Sequence, residues 1–411
     1  MKSSLLTLSP LALLVCLPVS ASGLFLQEAV YANQGAAGAG DGVYTGSAAS
    51  IWVNPAVMSF MEGNKTTVNG LVLDLGVDYY DQDNPSVRNG NSQDYIGSAA
   101  MFHVQQLTDD LHLGLSVATA GGSGLDYSAN WAGDLQLENI NLLTLQFNPS
   151  LSYKINDQWS VAVGAQINFA SMDARMVKSD LSSESDWALG YNAGVVYQPS
   201  EQLTLGLSYR SKVEHDFNGD IDSDLGARLP PDGTYITLDR YQMDTSLVAI
   251  ADFSARYQVN AQWAVMSTIQ WHQWSDWDST PMSFDGTVSG NNKSADLTQA
   301  RNWDDVWHYG IGAEYAITPD WTLKAGVSYE TSPQDDPSMQ TPDIPVGSQL
   351  RYSVGASTMI GESKLDMFYE YADLGRVDIS QQGFELGLAN DHLLNGYFEG
   401  RMHFVGFALT F

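Results

Sequence analysis

The chain has 411 residues, and its 48 acidic residues outnumber its 18 lysines and arginines, which gives a formal net charge of −30. A nucleic-acid-binding protein needs a basic stripe on its surface, so this balance excludes nucleic acid as a partner. The single cysteine, Cys16, excludes a disulfide framework. The seven histidines show no metal-ligand spacing, so we predict no metal site.

The first 21 residues have the pattern of a secretory signal peptide. Lys2 precedes a short apolar run, and Val19-Ser20-Ala21 predicts cleavage after Ala21. The apolar run is too short to cross a bilayer as a helix. We therefore predict that residues 1–21 are a signal peptide and that the mature chain is exported.

A segment rich in glycine and alanine follows the predicted signal. It runs from Gly35 through Gly42 to Asn54-Pro55-Ala56 and is nearly free of charge. A nucleotide-binding loop would need a preceding strand and a following helix, whereas an export signal precedes this segment. We instead predict that residues 22–63 form a hatch, which plugs a β-barrel made by residues 64–411.

The remainder of the chain alternates in polarity. In Trp159–Ala170, apolar and aromatic residues take the odd positions, and small or polar residues take the even ones. A strand has a side-chain period of two, and about 9–11 tilted residues cross a bilayer. The alternation recurs in segments that begin at Leu111, Leu203, Trp321 and Val405, which predicts a series of membrane-crossing strands.

Short turns alternate with long segments between these strands. The short polar turns are residues 107–110, 155–158, 198–201, 259–262, 317–320 and 360–363. The long segments, rich in Asp, Asn, Ser and Gly, are about 81–94, 121–136, 172–185, 216–236, 276–299, 331–348 and 373–399. Short turns on one side and long loops on the other are typical of outer-membrane barrels.

With a first strand near 65–80 and a last near 401–411, these elements predict an all-β fold, a transmembrane antiparallel β-barrel of about fourteen strands. A soluble β-sandwich, the alternative, would not need hairpins of bilayer length. The chain ends on an alternating strand with Phe411 as its last residue, which is typical of a strand that guides assembly by the barrel assembly machinery. We therefore predict a monomer in the outer membrane of a Gram-negative bacterium, in contact with lipid and lipopolysaccharide.

Aromatic residues mark both ends of the predicted strands. Those beside the short turns predict an interfacial girdle, and they are Tyr153, Trp159, Tyr257, Trp263 and Trp321. At the loop end of one strand, Trp271, Trp274 and Trp277 could form the opposite girdle or part of a groove for an apolar ligand.

The motifs that carry the most specific pattern follow one another in a fixed order along the chain. They are Asn54-Pro55-Ala56, residues 124–133, residues 148–157, Ser208-Tyr209-Arg210-Ser211, Trp274-Ser275 and Asn302-Trp303-Asp304-Asp305. In this order they resemble the FadL-type long-chain fatty acid transporters of the bacterial outer membrane, a family that includes aromatic-hydrocarbon uptake channels. The resemblance covers nearly all of the mature chain and implies a fourteen-stranded barrel closed by an N-terminal hatch.

The resemblance also implies a route for the ligand. A hydrophobic molecule would be captured among the outer loops and would then move to an apolar pocket near the mature N-terminus, where Leu24, Phe25 and Leu26 would contact it. Asn54-Pro55-Ala56 is similar to the hatch signature of the family and is predicted to fix a turn there; a role in gating is implied by the resemblance. Passage would be diffusive, with no bound cofactor.

The predicted exit is a sideways opening in the barrel wall. The resemblance places it at a kink in the third strand. Glycine within a strand pattern predicts a bulge or a kink, and Gly121, Gly122 and Gly124 end the third strand. We therefore predict a lateral opening at these glycines.

Four cationic residues occupy the alternate, polar positions whose side chains are predicted to point into the barrel, namely Arg210, Arg256, Lys324 and Arg351. Because charges away from water need partners, we expect most of them to form ion pairs. Arg351 lies nearest a loop end, so it is our first candidate for binding a fatty-acid carboxylate, which arginine can hold in a bidentate pair. Arg175 and Arg301 are alternatives on the loop side, although simple parity points them outward.

The sequence therefore predicts an outer-membrane channel for passive uptake of long-chain fatty acids or similar hydrophobic molecules. Uptake of aromatic hydrocarbons or alkanes is the first alternative, and a surface adhesin or receptor acting through the long loops is the second. An enzyme would need a nucleophile beside a histidine such as His272 or His308. No nucleophile motif accompanies either residue, so we predict that the chain is not an enzyme.

Overall fold

The structure is a computed structural model. It describes residues 27–83, 89–119, 121–176, 179–223, 236–288, 290–381 and 393–411. The predicted signal peptide, and with it Leu24, Phe25 and Leu26, lies outside the described residues. Within them, no helix is both long enough and apolar enough to cross a membrane.

Fourteen antiparallel strands can be traced through the described residues, in chain order. Their bounds are β1 Lys65–Asp81, β2 Gly90–Gln106, β3 Leu111–Ala118 and Gly122–Asp126, β4 Asn139–Lys154, β5 Trp159–Met176, β6 Ser179–Ser200, β7 Leu203–Arg210 and Val213–Ser223, β8 Ile236–Leu247 and Ile250–Gln258, β9 Trp263–His272 and Ser279–Val288, β10 Asn291–Ala300 and Val306–Ala316, β11 Trp321–Glu330, β12 Gln349–Ile360, β13 Ser363–Ser380 and β14 Asn395–Thr410. Each strand pairs with the next one along the chain.

The sheet closes on itself between its first and last strands. β14 pairs with β1 over fifteen residue pairs, from Thr67 opposite Thr410 to Asp81 opposite Gly396. Closure removes the unpaired edges that an open sheet would expose to lipid. The prediction of a transmembrane antiparallel barrel of about fourteen strands is confirmed.

The long segments contain more strand than their composition indicated. Residues 213–223, 236–247, 279–288 and 291–300 were predicted to lie in or beside loops, but they pair with one another at the loop end of the wall. In Val213–Ser223, buried residues alternate with exposed acidic or polar ones. The loop prediction was wrong there because a strand that has left the bilayer keeps its backbone pairing while its outward charges stay in water.

The parity of apolar residues also reverses in part of the barrel. On β5 the outward aromatic and aliphatic side chains are exposed, as predicted. On β1, however, Leu71, Leu73, Leu75 and Val77 point inward and are buried. They pack against chain that fills the lumen rather than against water, so apolar side chains are stable on the inner face of this strand.

The segment before β1 lies inside the barrel, and we call residues 27–63 the hatch. It contains a short α-helix, Ser50–Val53, and three 3-10 helices, Gln27–Val30, Asp41–Val43 and Pro55–Phe60. Almost all of its residues are buried. Small side chains allow the hatch to fold tightly within the lumen, and Gly35, Gly38 and Gly40 supply three backbone turns with positive φ.

The hatch rests directly on bare backbone of the wall. A Cβ atom on Gly326 of β11 would lie 2.1 Å from the carbonyl oxygen of Ala36. A Cβ atom on Gly355 of β12 would lie 2.9 Å from the carbonyl oxygen of Gln34. The glycines at these two positions therefore let the hatch approach the wall more closely than any side chain would permit.

Replacing Gly326 tests this seat. We expect Gly326→Leu to displace the hatch, because the new side chain would occupy the position of the Ala36 carbonyl, and to raise the ion conductance of the purified protein in planar bilayers. Ala325→Leu is the matched control, because Ala325 is the neighbouring residue on the exposed, outward face. Equal conductance of the two variants would contradict this seating of the hatch.

Candidate functional site

Asn54-Pro55-Ala56 fixes the hatch to the wall near the turn end of the barrel. The Asn54 side chain accepts a hydrogen bond from the backbone N–H of Ala56 (3.0 Å) and donates one to the carbonyl of Val195 on β6 (3.1 Å). The carbonyl of Ala56 accepts from the hydroxyl of Ser160 (2.7 Å). Pro55 begins the 3-10 helix that Asn54 caps. The motif thus makes the predicted turn, while its role in gating stays a prediction.

We expect Asn54→Ala to loosen the hatch. The variant loses a buried hydrogen bond to the Ala56 N–H and a partly buried one to the Val195 carbonyl, which together cost about 1–3 kcal/mol. Hydrogen exchange of residues 50–60 should become faster by about one to two orders of magnitude. Asn218→Ala, at an exposed position on β7, is the control and should leave exchange in the hatch unchanged; slow exchange in both variants would count against the anchor.

Charged groups hold the other parts of the hatch. The buried Asp41 carboxylate accepts from the backbone N–H groups of Ala32 and Asn33, both at 2.9 Å. Burial raises the pKa of Asp41 to about 6, although the two N–H donors partly offset that effect. Glu28, at the start of the hatch, forms an ion pair with Arg351 of β12 at 3.0 Å.

The three arginines proposed as carboxylate ligands already have acidic partners. Arg351 contacts Glu28 and is 4.0 Å from Glu330. Arg175 is exposed and pairs with Asp180 on β6. Their contacts are therefore those of a hatch anchor and of a surface pair, and their role toward a ligand stays a prediction.

Arg301 does not follow the outward parity of its strand. It is buried and pairs with Asp343 at 2.6 Å, because the strand is interrupted between Ala300 and Val306 and parity does not carry across the break. Burial raises the pKa of Asp343, but the adjacent Arg301 guanidinium outweighs burial and holds that pKa below its usual range.

The tryptophans near Arg301 form a buried cluster rather than a girdle. Trp274 and Trp277 are almost fully buried and each packs edge-on against Trp303, with ring centroids 4.9 and 5.1 Å apart. Trp271 is partly exposed and donates to Asp305. The expectation of a second girdle is therefore wrong for Trp274 and Trp277, because the chain between the two segments of β9 folds inward.

Arg210 of β7 differs from the other inward cations. Its guanidinium donates to the Gln166 side chain (2.8 Å) and to the carbonyl of Trp52 (2.5 Å) and lies 4.3 Å from the Trp52 ring. Among the described residues, no carboxylate lies within ion-pair distance of it. By contrast, Arg256 pairs with Glu314 at 2.6 Å. Arg210 is thus a cation held by neutral groups.

Arg210 lines a small internal cavity between the hatch and the wall. The lining includes apolar residues such as Val30 of the hatch and Ile250 of the wall, and also the carboxyl groups of Asp41 and Asp252. Both carboxyl groups accept hydrogen bonds from neutral donors elsewhere. The cavity volume is about 70 Å³, whereas binding sites for small molecules usually measure about 300–1,000 Å³. A long ligand would therefore need the first turn of the hatch, which forms one side of the cavity, to move.

The sequence pointed to Arg210 only as one of four inward cations. Arg351 was favoured because it lies close to a loop in sequence. The distinguishing feature of Arg210 is that its partners are neutral, and that depends on which side chains of other strands and of the hatch come near it.

The barrel wall is interrupted between β2 and β3. Their backbone pairing ends at Met101 opposite Val117. Beyond that point β3 pairs with β4 alone among the described residues, and it does so with a bulge, since Ala118 lies opposite Gln146 and Gly122 opposite Leu143.

The three glycines predicted at the opening lie at this interruption. The backbone of Gly121 exchanges hydrogen bonds with Thr144 of β4, while Gly122 and Gly124 belong to the second segment of β3. An apolar groove of about 940 Å³ lies on the outer face of the wall, mainly across β12, β13, β14 and β1, and its edge reaches Ala99 of β2 and Thr119 of the bulge.

A closed antiparallel barrel whose lumen holds its own N-terminal segment defines a class of protein, the hatch-bearing transport barrels of the outer membrane. Comparison with known sequences gives the particular family. Residues 12–410 match the family described as "Outer membrane protein transport protein (OMPP1/FadL/TodX)". The chain belongs to this family, so it is an outer-membrane transport protein and not an enzyme.

Curated relatives span most of the chain at low identity. The "Long-chain fatty acid transport protein" of Escherichia coli strain K12 is 22% identical, over 88% of this chain and 92% of the relative. "Outer membrane protein P1" of Haemophilus influenzae is 21% identical, over 86% of each.

Solved structures share the fold. A Pseudomonas aeruginosa FadL homologue matches with a TM-score of 0.74 at 20% identity, over 94% of this chain and 98% of that one. The Pseudomonas putida toluene transporter TodX matches with a TM-score of 0.71 at 16% identity, over 92% and 98%.

Proposed function

We propose that this protein takes up long-chain fatty acids by passive diffusion across the outer membrane. The observation that carries the proposal is Arg210, a cation that lines an internal cavity without an acidic partner among the described residues. Family membership makes the chain an outer-membrane transport protein, and relatives include both a fatty acid transporter and a toluene transporter by title.

The environment of Arg210 favours an anionic ligand over a hydrocarbon. Arg210 is half-buried. Withdrawing part of a guanidinium from water costs free energy unless a counter-charge compensates for it. A fatty-acid carboxylate would supply that charge and accept two parallel hydrogen bonds, whereas a toluene molecule would do neither. The apolar side chains around the cavity suit the alkyl chain of such an acid.

The interruption between β2 and β3 supports lateral release. Backbone groups facing lipid must find partners, and here the ladder of β3 continues on β4 alone among the described residues. One contact leads back to β2, from the backbone N–H of Asp126 to the hydroxyl of Ser92 (2.9 Å). A molecule leaving the lumen at this height would enter the apolar part of the bilayer without crossing the polar turn end. The apolar groove, whose edge reaches the interruption at Thr119, offers a surface that a hydrocarbon chain can follow along the wall.

Replacing Arg210 tests the choice of ligand. We expect Arg210→Gln to raise the concentration of oleate needed for half-maximal uptake by about tenfold to a hundredfold, since a charge-assisted hydrogen bond contributes about 1.5–3 kcal/mol. Uptake of toluene should not change. Arg256→Gln is the control, because Arg256 is paired with Glu314.

Two results would contradict this proposal. Equal oleate uptake by the wild type and Arg210→Gln would show that Arg210 does not bind the fatty-acid carboxylate. Fast toluene uptake without any oleate uptake by the wild type would favour the hydrocarbon alternative.

The exit can be tested by removing the bulge. We expect deletion of Thr119 to bring both segments of β3 into one continuous register with β4 and so to close the wall. Oleate uptake by cells should then fall by at least about tenfold, while oleate binding to the purified protein stays the same. Deletion of Gly290, which lies at an outer turn with open space around it, is the control; unchanged uptake after removal of Thr119 would exclude this exit.

A further inference from the structure

The chain that joins β3 to β4 folds into the mouth of the barrel, and we call residues 128–138 the cap segment. Its Trp131 side chain is buried between aromatic residues of the wall and Tyr127, which directly follows β3. The ring centroids of Tyr127, Tyr79 and Phe398 lie 4.4, 5.4 and 6.5 Å from that of Trp131. These three rings, which we call the aromatic box, therefore surround one inserted indole.

The wall is shaped to receive this indole. A Cβ atom on Gly90, the first residue of β2, would lie 2.8 Å from the Trp131 ring. Tyr79 and Phe398 belong to stretches of β1 and β14, residues 71–79 and 398–404, in which the buried side chains are apolar. An apolar inner wall at the mouth of a channel would face water if the cap moved away, so it needs a hydrocarbon occupant.

The cap segment is poorly suited to be permanent core. Ser128 and Asn130 adopt left-handed backbone conformations with φ of 61° and 73°, and both are exposed. Asparagine visits this region readily, but the conformation is strained for Ser128, and such strain often occurs in segments that switch. Gln136 of the cap and Gln381, just beyond β13, exchange side-chain hydrogen bonds of 2.7 and 3.1 Å, which water can replace at small cost.

The aromatic box is continuous with the interior of the barrel. Trp131 belongs to one buried apolar cluster that runs along the inner face of β1 through Leu75 and Leu71 to Tyr31 of the hatch. Tyr31 also lines the cavity that contains Arg210. A hydrocarbon chain that enters at the box would thus meet the apolar side chains of this cluster as far as Tyr31, whose hydroxyl donates to the buried Glu370 (3.3 Å).

We infer that Tyr79, Tyr127 and Phe398 form an outer binding site for the hydrocarbon part of the transported molecule, and that Trp131 is a tethered cap which this molecule displaces. The inference deepens the proposed function and rests on it for the identity of the molecule. The shared chemistry is an apolar group, flat or chain-like, that replaces the indole in the aromatic box.

Locking the cap tests whether it must open. Gln136→Cys and Gln381→Cys together place two thiols where the two amides now meet, and Cys16 lies in the predicted signal peptide. Bridging them with a reducible bifunctional thiol reagent should lower oleate uptake by at least about tenfold, and reduction should restore it. Each single-cysteine variant, treated in the same way, is the control. Normal uptake by fully bridged protein would overturn the inference.

Removing the indole tests the site itself. A long-chain fatty acid with a terminal diazirine should label the peptides that contain Tyr79 and Phe398 several-fold more strongly in Trp131→Ala than in the wild type. Trp277→Ala removes an equally buried indole from the neighbouring cluster and should leave that labelling unchanged. If Trp131→Ala fails to assemble, Trp131→Phe should show the same increase to a smaller extent. Absence of label from both peptides in the assembled variants would overturn the inference.

A diazirine-bearing alkane separates this inference from the proposed function. If oleate is not transported, the alkane should still label the box in Trp131→Ala, and bridging the cap should block its uptake. That outcome would reject fatty acids as the transported molecules and would support the aromatic box as a binding site. If oleate uptake depends on Arg210 but neither probe labels the aromatic box, the proposed function is supported and the box is rejected as a binding site.

Discussion

The structure depends on the closed ladder of backbone hydrogen bonds that runs once around the barrel. Lipid offers no partners to backbone N–H and C=O groups, so every strand must be paired on both sides. Pairing of β14 with β1 satisfies this requirement at the point where an open sheet would have two edges. The interruption above Met101 and Val117 is notable because it departs from this requirement at the height where an apolar groove adjoins the wall.

The hatch fills the lumen of the barrel, although the transported molecule must pass through that lumen. Small residues bring its backbone against Gly326 and Gly355, and buried ion pairs such as Glu28 with Arg351 fix its start. This use of Arg351 is why position along the chain was a poor guide to a carboxylate ligand. A paired arginine already has its counter-charge, whereas Arg210 meets only neutral acceptors among the described residues.

Much of the architecture could be predicted from the sequence. A strand in a barrel faces lipid on one side and the lumen on the other, so its side chains alternate in polarity. The alternation in β5 and the short polar turns predicted strand number and order. The same rule failed on β1, where Leu73 and Leu75 face a lumen filled by protein, and at Arg301, where a break in the strand cancels parity. The acidic composition of Val213–Ser223 also led to the wrong prediction of a loop, because acidic residues are stable on the solvent-exposed face of a strand as well as in a loop.

The sequence by itself determined the class of fold, the position of the hatch before the first strand and the glycines that interrupt β3, since each follows from local periodicity or local backbone freedom. Only the tertiary structure decided which of the four inward cations lacks an acidic partner among the described residues, where the wall is unpaired and that Trp131 lies within the aromatic box. These features join residues far apart in the chain, such as Arg210 with Trp52 and Tyr79 with Phe398. Closure of the barrel brings them together, and no local pattern encodes such a meeting.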